Sequence, residues 1–126
     1  MTYCVAIKLN AGLVFVSDSR TNAGVDQIST YSKMHTFGED GSRQFCLLTA
    51  GNLATSQGIV AQLRHDIDQS MPLSLMNMRG MDEAADYVGQ VSIMQQKKAG
   101  GGLDFEASVI FGGQIAGSAP EVFLIY

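Results

Sequence analysis

Gly12-Leu13-Val14-Phe15-Val16-Ser17-Asp18-Ser19-Arg20-Thr21-Asn22-Ala23-Gly24 is the stretch on which the reading of this 126-residue chain turns. Its first half is almost wholly apolar and rich in β-branched and aromatic residues, which predicts a strand over Leu13–Ser17. Just ahead of it, Tyr3–Leu9 has the same character, with Lys8 as its single charge, and Asn10-Ala11-Gly12 is a tight connection. Two such strands joined by a short Gly-containing turn predict a hairpin. Runs apolar on both faces predict a sheet covered on both sides. At Asp18 the polarity rises abruptly, and Ser19–Thr30 reads as a polar loop with Gly24 as its flexible point.

Working outward, Lys33–Phe37 predicts a short strand, Gly38-Glu39-Asp40-Gly41-Ser42 a turn, and Gln44–Thr49 a further strand. From Leu53, apolar residues fall at Ile59, Val60, Leu63 and Ile67, the spacing of one helix face. Asn52 is the expected N-cap and Pro72 closes the segment. Pro72–Gly80 is a connector, and Met71, Met76, Met78 and Met81, in and beside it, are expected to pack or to form a subunit contact rather than a flexible binding surface. A second helix is predicted over Asp82–Lys98, with Ala84, Tyr87, Val88, Val91 and Met94 as its apolar stripe. Asp82 and Glu83 at its start and Lys97 and Lys98 at its end match the helix dipole. Gly100-Gly101-Gly102 stops it; a strand follows over Phe105–Phe111, a turn region over Gly112–Pro120 and a last strand over Val122–Tyr126. Strands, two helices, then strands give an α+β layout with the helices over one face of the sheet. The apolar ending Val122-Phe123-Leu124-Ile125-Tyr126 is an aggregation hazard unless covered. The expectation is a truncated single domain, 1–126, whose remainder adds strands and a second helical layer.

Bulk properties narrow the function. The chain is 46% apolar and 16% charged, enough for a core and room for one domain only. A net charge of −4, with Lys97-Lys98 as the one adjacent basic pair, argues against nucleic-acid and anionic-membrane partners. No apolar run approaches the ~20 residues that span a bilayer, and Met1-Thr2-Tyr3-Cys4-Val5 lacks the pattern of a secretory signal. Cys4 and Cys46 read as two buried thiols of a cytoplasmic protein, with Cys4 a core residue rather than a nucleophile. His35 and His65 have no partner at ligand spacing, so no metal is expected. Asp66 and Asp68 lie two apart on a helix, hence on different faces, and are expected to be solvated. The three glycines follow a helix and precede a strand, the reverse of a phosphate cradle.

The residues that carry chemistry are few. A threonine hydroxyl is a poor nucleophile without an adjacent base. A threonine at the amino terminus has one in its own α-amine, whose unperturbed pKa is near ~8. A neighbouring ammonium lowers that value, and a carboxylate holds the ammonium in place. The sequence offers Thr2, Lys33 and Asp18. Taken singly, Thr2 is an ordinary residue and Asp18 is equally a strand-ending turn residue.

Taken together, Thr2-Tyr3-Cys4-Val5-Ala6-Ile7, the stretch Gly12 to Gly24, Lys33 and Thr49-Ala50-Gly51 resemble the proteasome β-subunit pattern of amino-terminal-nucleophile hydrolases. The Asp18-Ser19-Arg20-Thr21-Asn22-Ala23-Gly24 element is its most specific part. Within that superfamily the chain is most similar to the bacterial group called Anbu, the ancestral beta subunit. Gln27-Ile28-Ser29-Thr30, Gly112-Gly113-Gln114-Ile115, Phe123-Leu124-Ile125-Tyr126 and the lack of a propeptide before the threonine carry that likeness. The resemblance covers the whole chain but only the amino-terminal part of the family domain. It implies a four-layer αββα sandwich and a threonine-type peptidase with no cofactor. Thr2 would be the nucleophile after Met1 removal, its α-amine the base, Lys33 the cation, Asp18 its carboxylate and the Gly51 amide an oxyanion-hole donor. Thr21 and Asn22 would pair with the substrate backbone as an added strand, Ala23 and Gly24 would allow its close approach, and Thr49 and Leu53 would wall the first specificity pocket. The family also uses a serine and an aspartate from the second half of the domain, which this sequence does not reach. A homo-oligomer, as a ring or helical stack, is implied, with a peptide or amide as substrate and any unfoldase partner unspecified. Two alternatives stay open: a non-catalytic structural subunit and an amidase acting on a small amide.

Overall fold

The computed structural model describes residues 3–18, 20–22, 28–30 and 32–126. The apolar opening forms the expected hairpin of β1 (Cys4–Leu9) and β2 (Gly12–Ser17), with Cys4 opposite Ser17 and Ile7 opposite Val14. The stretch expected as a polar loop instead contains β3 (Arg20–Asn22), paired antiparallel with β4 (Ile28–Thr30). No apolar alternation in the sequence announces these short strands. β5 (Met34–Glu39), β6 (Arg43–Gly51), β7 (Ala107–Ile115) and β8 (Glu121–Ile125) make a four-stranded antiparallel sheet in that order. Between β6 and β7 lie α1 (Leu53–Asp68) and α2 (Met81–Lys98), with single 3-10 turns at Leu75–Asn77 and Leu103–Phe105.

Strand alternation sorts the four-stranded sheet into two faces. Phe37, Phe45, Leu47, Val109 and Phe111 meet Ile59, Leu63, Ala84, Val88 and Val91 of the helices in one continuous core. Phe45 and Phe111 stack there with ring centroids 5.5 Å apart. Each such fully buried side chain contributes about 1.5–3 kcal/mol relative to exposure. Met78 and Met81 join this core, while Met71 is exposed. Arg43 pins the connector by donating from Nη1 to the carbonyls of Leu75, at 2.9 Å, and Met78, at 2.7 Å.

The opposite face, with Cys46 and Leu48, receives the β1–β2 hairpin. Phe15 lies directly on Gly112, where a Cβ would come within 2.8 Å of its Cζ. That close approach explains why Gly112-Gly113, expected as the start of a turn, lies inside β7: the strand runs on to Ile115 because the glycine makes room for the aromatic ring of the next layer. At the rim, Lys8 Nζ faces Glu121 Oε2 of β8 at 3.7 Å. Between the two layers remains a cleft of about 270 Å³, lined among others by Leu13, Phe15, Thr36, Gln44 and Cys46.

The outer face of the hairpin, with Ile7, Leu9, Val14 and Val16, is exposed, on the side where the second helical layer is expected. Two further expectations change. Met94 lies off the buried stripe of α2, which runs through Met81, Ala84, Val88, Val91 and Ser92. Asp66 is buried rather than solvated: it accepts from Gln62 Nε2 at 2.8 Å and from the Tyr87 hydroxyl at 2.6 Å, bridging the two helices. No helix among the described residues is long and apolar enough to cross a membrane.

Candidate active site

The end of β2 and the start of β5 bring Asp18 and Lys33 together. Lys33 Nζ donates to Asp18 Oδ1 at 2.9 Å, with the Lys33 side chain nearly buried and that of Asp18 about a third exposed. The same carboxylate oxygen accepts from the Tyr3 amide at 3.2 Å, and the Asp18 amide donates back to the Tyr3 carbonyl at 3.0 Å. The amino end of β1 is thereby bound through its backbone to the carboxylate that holds Lys33. First the Lys33 hydrogen bond and then the Tyr3 amide keep the Asp18 carboxyl below its ordinary range, so it is ionised at neutral pH.

The end of β6 faces this pair. The Thr49 amide donates to the Lys33 carbonyl at 2.9 Å, and the Cys4 thiol lies 3.8 Å from the Thr49 carbonyl. Cys4 is thus only half-buried and sits among the site residues rather than in the core. Burial, then the charge of Asp18, raise its pKa against the smaller opposing effect of Lys33. It is a protonated thiol at neutral pH, and thiols react through the thiolate. Both cysteines are unpaired, and Cys46 is buried.

Gly51 closes β6 at φ +99°, a conformation that favours glycine, and a Cβ there would lie 2.6 Å from the Glu106 carbonyl oxygen. The Asn52 amide donates to that carbonyl at 2.9 Å, so Gly51 and Ala107 form a wide pair of the β6–β7 ladder. The Gly51 N–H therefore points away from β7, toward the strand edge on which Thr49 binds Lys33. Immediately after it α1 begins, capped by Asn52, whose side-chain oxygen accepts from the Thr55 amide at 2.9 Å. A glycine amide at a helix start is well suited to stabilise negative charge.

Of the remaining residues singled out in the sequence, Thr49 is buried at the end of β6 and Leu53 is half-buried as the first residue of α1. Thr21 and Asn22 lie on β3, opposite Ser29 and Ile28 of β4. Thr2, Ala23 and Gly24 lie outside the described residues. Sequence reasoning missed Cys4 as a neighbour of the ion pair and the backbone of Tyr3 as a partner of Asp18. The only signal for Tyr3 was its pairing position across a hairpin from Asp18. It also missed the segment 104–106 behind Gly51. Among the described residues no group of His, Cys, Asp and Glu could hold a metal ion.

No protein-family model and no curated protein matches the chain. Solved structures do. Over its whole length the chain is similar to Anbu (ancestral beta-subunit) from Yersinia bercovieri, at 43% identity and a TM-score of 0.94, covering 53% of that chain. It is similar to the Anbu complex from Pseudomonas aeruginosa, described as a helical assembly, at 41% identity and a TM-score of 0.92, again over 100% of this chain and 53% of that one. A Gly-1 mutant of Anbu from Hyphomicrobium sp. strain MC1 is 41% identical with a TM-score of 0.91, over 100% of this chain and 52% of that one. The chain spans about half the length of the relatives it matches.

Proposed function

The chain belongs to the Anbu group of proteasome-type β-subunit relatives, and on that premise we propose that it is the amino-terminal portion of a threonine-type amide hydrolase. The single observation that carries this reading is the binding of Lys33 Nζ and the Tyr3 amide to one oxygen of Asp18, at 2.9 and 3.2 Å. Thr2 precedes Tyr3 in the chain, one peptide unit or ~3.8 Å between Cα atoms. A lysine ammonium anchored so near the amino end favours the unprotonated form of a Thr2 α-amine. That amine, free once Met1 is removed, accepts the proton of the Thr2 hydroxyl as the oxygen attacks an amide carbonyl. The oxyanion that forms would be met by the Gly51 N–H, and the amine then returns its proton to the leaving nitrogen. This leaves an ester on the Thr2 oxygen that a water, activated by the same amine, hydrolyses to release the acid and restore the hydroxyl. Thr21 and Asn22 would align the substrate as an added strand, beside Ala23 and Gly24, with Thr49 and Leu53 walling the first specificity pocket.

The same reading assigns the described layers to three of the four layers of an αββα sandwich, and the helical assembly of the Pseudomonas aeruginosa relative supports a homo-oligomer here too. The test is the intact mass of the complete protein before and after treatment with a peptide epoxyketone, a reagent that bridges an amino-terminal hydroxyl and amine. Loss of Met1 and one adduct, absent in Thr2→Ala, are expected. Retention of Met1 with no adduct would sink the hydrolase reading in favour of a structural subunit.

A further inference from the structure

Three successive carbonyls behind Gly51 are each held by the opening of α1. The Asn52 amide donates to Glu106 O at 2.9 Å, Asn52 Nδ2 to Asp104 O at 2.9 Å and Thr55 Oγ1 to Phe105 O at 2.8 Å. Asn52 therefore has two tasks, split between the two atoms of its side-chain amide. Its oxygen caps α1 at the Thr55 amide, and its nitrogen grips the segment 104–106. A serine or an aspartate caps a helix as well as asparagine does, but neither supplies a donor that reaches a second segment in this way. The gripped segment is the one that presses on Gly51, since the Glu106 carbonyl occupies the space a Cβ at Gly51 would need.

We propose that Asn52 and Thr55 are positioning residues, which clamp residues 104–106 against Gly51 and so fix the direction of the Gly51 N–H. The proposal rests on the reading of Gly51 as the oxyanion donor and goes beyond it by naming what aims that donor. An amide is useful for charge stabilisation only if it is aimed before the charge forms, because reorientation during the reaction forfeits the gain. Gly51 has no side chain to hold it in its left-handed conformation, so its aim is set by its neighbours. The clamp supplies that restraint from a segment 50 residues away in the chain, through the side chains of Asn52 and Thr55.

The test compares Asn52→Ser, Asn52→Asp and Thr55→Val in the complete protein, with Thr2→Ala as the blank. The serine and aspartate variants keep the cap and lose the grip on Asp104; the valine keeps its shape and loses the bond to Phe105. Removing an oxyanion donor outright lowers kcat by about 10²–10³-fold. A misaimed donor is expected to lower it by about 10-fold or more with KM changed less than about twofold, since substrate alignment is untouched. Asn52→Ser tests this without added charge. Amide hydrogen exchange gives an independent readout: the backbone amides of residue 52 and Phe105, bonded to Glu106 O and Gly102 O, should exchange faster in the variants, while the amides of α1 beyond its first turn stay as protected as in the wild type. Full kcat in Asn52→Ser and Thr55→Val with a Thr2-dependent wild type overturns the proposal and leaves the hydrolase reading standing. Absence of Thr2-dependent turnover in the wild type overturns that reading instead, and exchange then decides the clamp: unchanged exchange at residue 52 and Phe105 in all three variants refutes it.

Discussion

Asp18 accepts from the Lys33 side chain and the Tyr3 amide at a single oxygen, and its acidity follows from both. Its folded pKa lies below the ordinary carboxylate value. A group depressed in this way contributes stability in full above its unfolded pKa, about 3.9, and loses it as pH falls through the lower folded value. In denaturant melts of wild type and Asp18→Asn from pH 7 downward, the gap between the two should hold to about pH 4 and close below it. A gap that closes already between pH 7 and pH 5 contradicts this. The thiols behave in the opposite sense. Burial pushes Cys46 up to about 11, and burial together with Asp18 raises Cys4. Iodoacetamide at pH 7.5 should leave both unlabelled in the native protein and label both in urea. Rapid native labelling of Cys4 would mean that Lys33 outweighs Asp18 at that sulfur. Thr2, Asp18, Lys33 and Gly51 stood out in the sequence because the family resemblance implies a chemical task for each. Cys4 did not, since an apolar strand and a site wall ask for the same small side chain.

The two helices are joined at their most polar point. Asp66 of α1 is buried and bonded to both Gln62 and the Tyr87 hydroxyl of α2. Burial, then Asp66 itself, raise the Tyr87 pKa, so the phenol remains a donor through the neutral range. Tyr87→Phe removes one of two donors to a buried carboxylate, and hydrogen bonds to charged groups are worth about 1.5–3 kcal/mol. Chemical denaturation should show a loss in that range, whereas Asp68→Ala, at an exposed position, should stay within about 0.5 kcal/mol. An equal effect of the two would dismiss the bridge. The buried place of Asp66 was legible in part: Ile59, Leu63 and Asp66 follow the i, i+4, i+7 spacing of one helix face. What hid it was residue type, because a carboxylate enters a core only when partners from other elements wait for it. The same holds for Met94, whose apolar character placed it on a stripe that its angular position does not share.

On the scale of the molecule, one surface is out of balance with the rest. The hairpin turns Ile7, Leu9, Val14 and Val16 outward together with Tyr3, each at least 41% exposed, and a contiguous apolar face of this kind marks a contact surface. The isolated 126-residue chain should bind the dye ANS and self-associate in light scattering at micromolar concentration. Ile7 and Val14 are directly opposed across the hairpin, so Ile7→Lys with Val14→Glu replaces an apolar pair by an opposite-charge pair in the same register. That double variant should bind less dye and scatter less while keeping its far-UV circular dichroism. Unchanged dye binding would locate the exposed surface elsewhere, at Leu124 and Tyr126 or on the helices.

The sequence by itself determined the hairpin, both helices with their Asn52 cap and dipole-matched charges, the α+β order, and the kinship carried by residues 2–24, 33 and 49–51. These are local or near-local signals: apolar period, turn chemistry and the fixed spacing of a motif. Only the tertiary structure decided the rest. It continued β7 through Gly112, because Phe15 from another layer needs that space. It brought Asp18, Lys33 and the Tyr3 backbone to one oxygen, and it set residues 104–106 behind Gly51. Each of these depends on where two distant segments meet, and a side chain's own pattern along the chain carries no record of the partner that will stand against it.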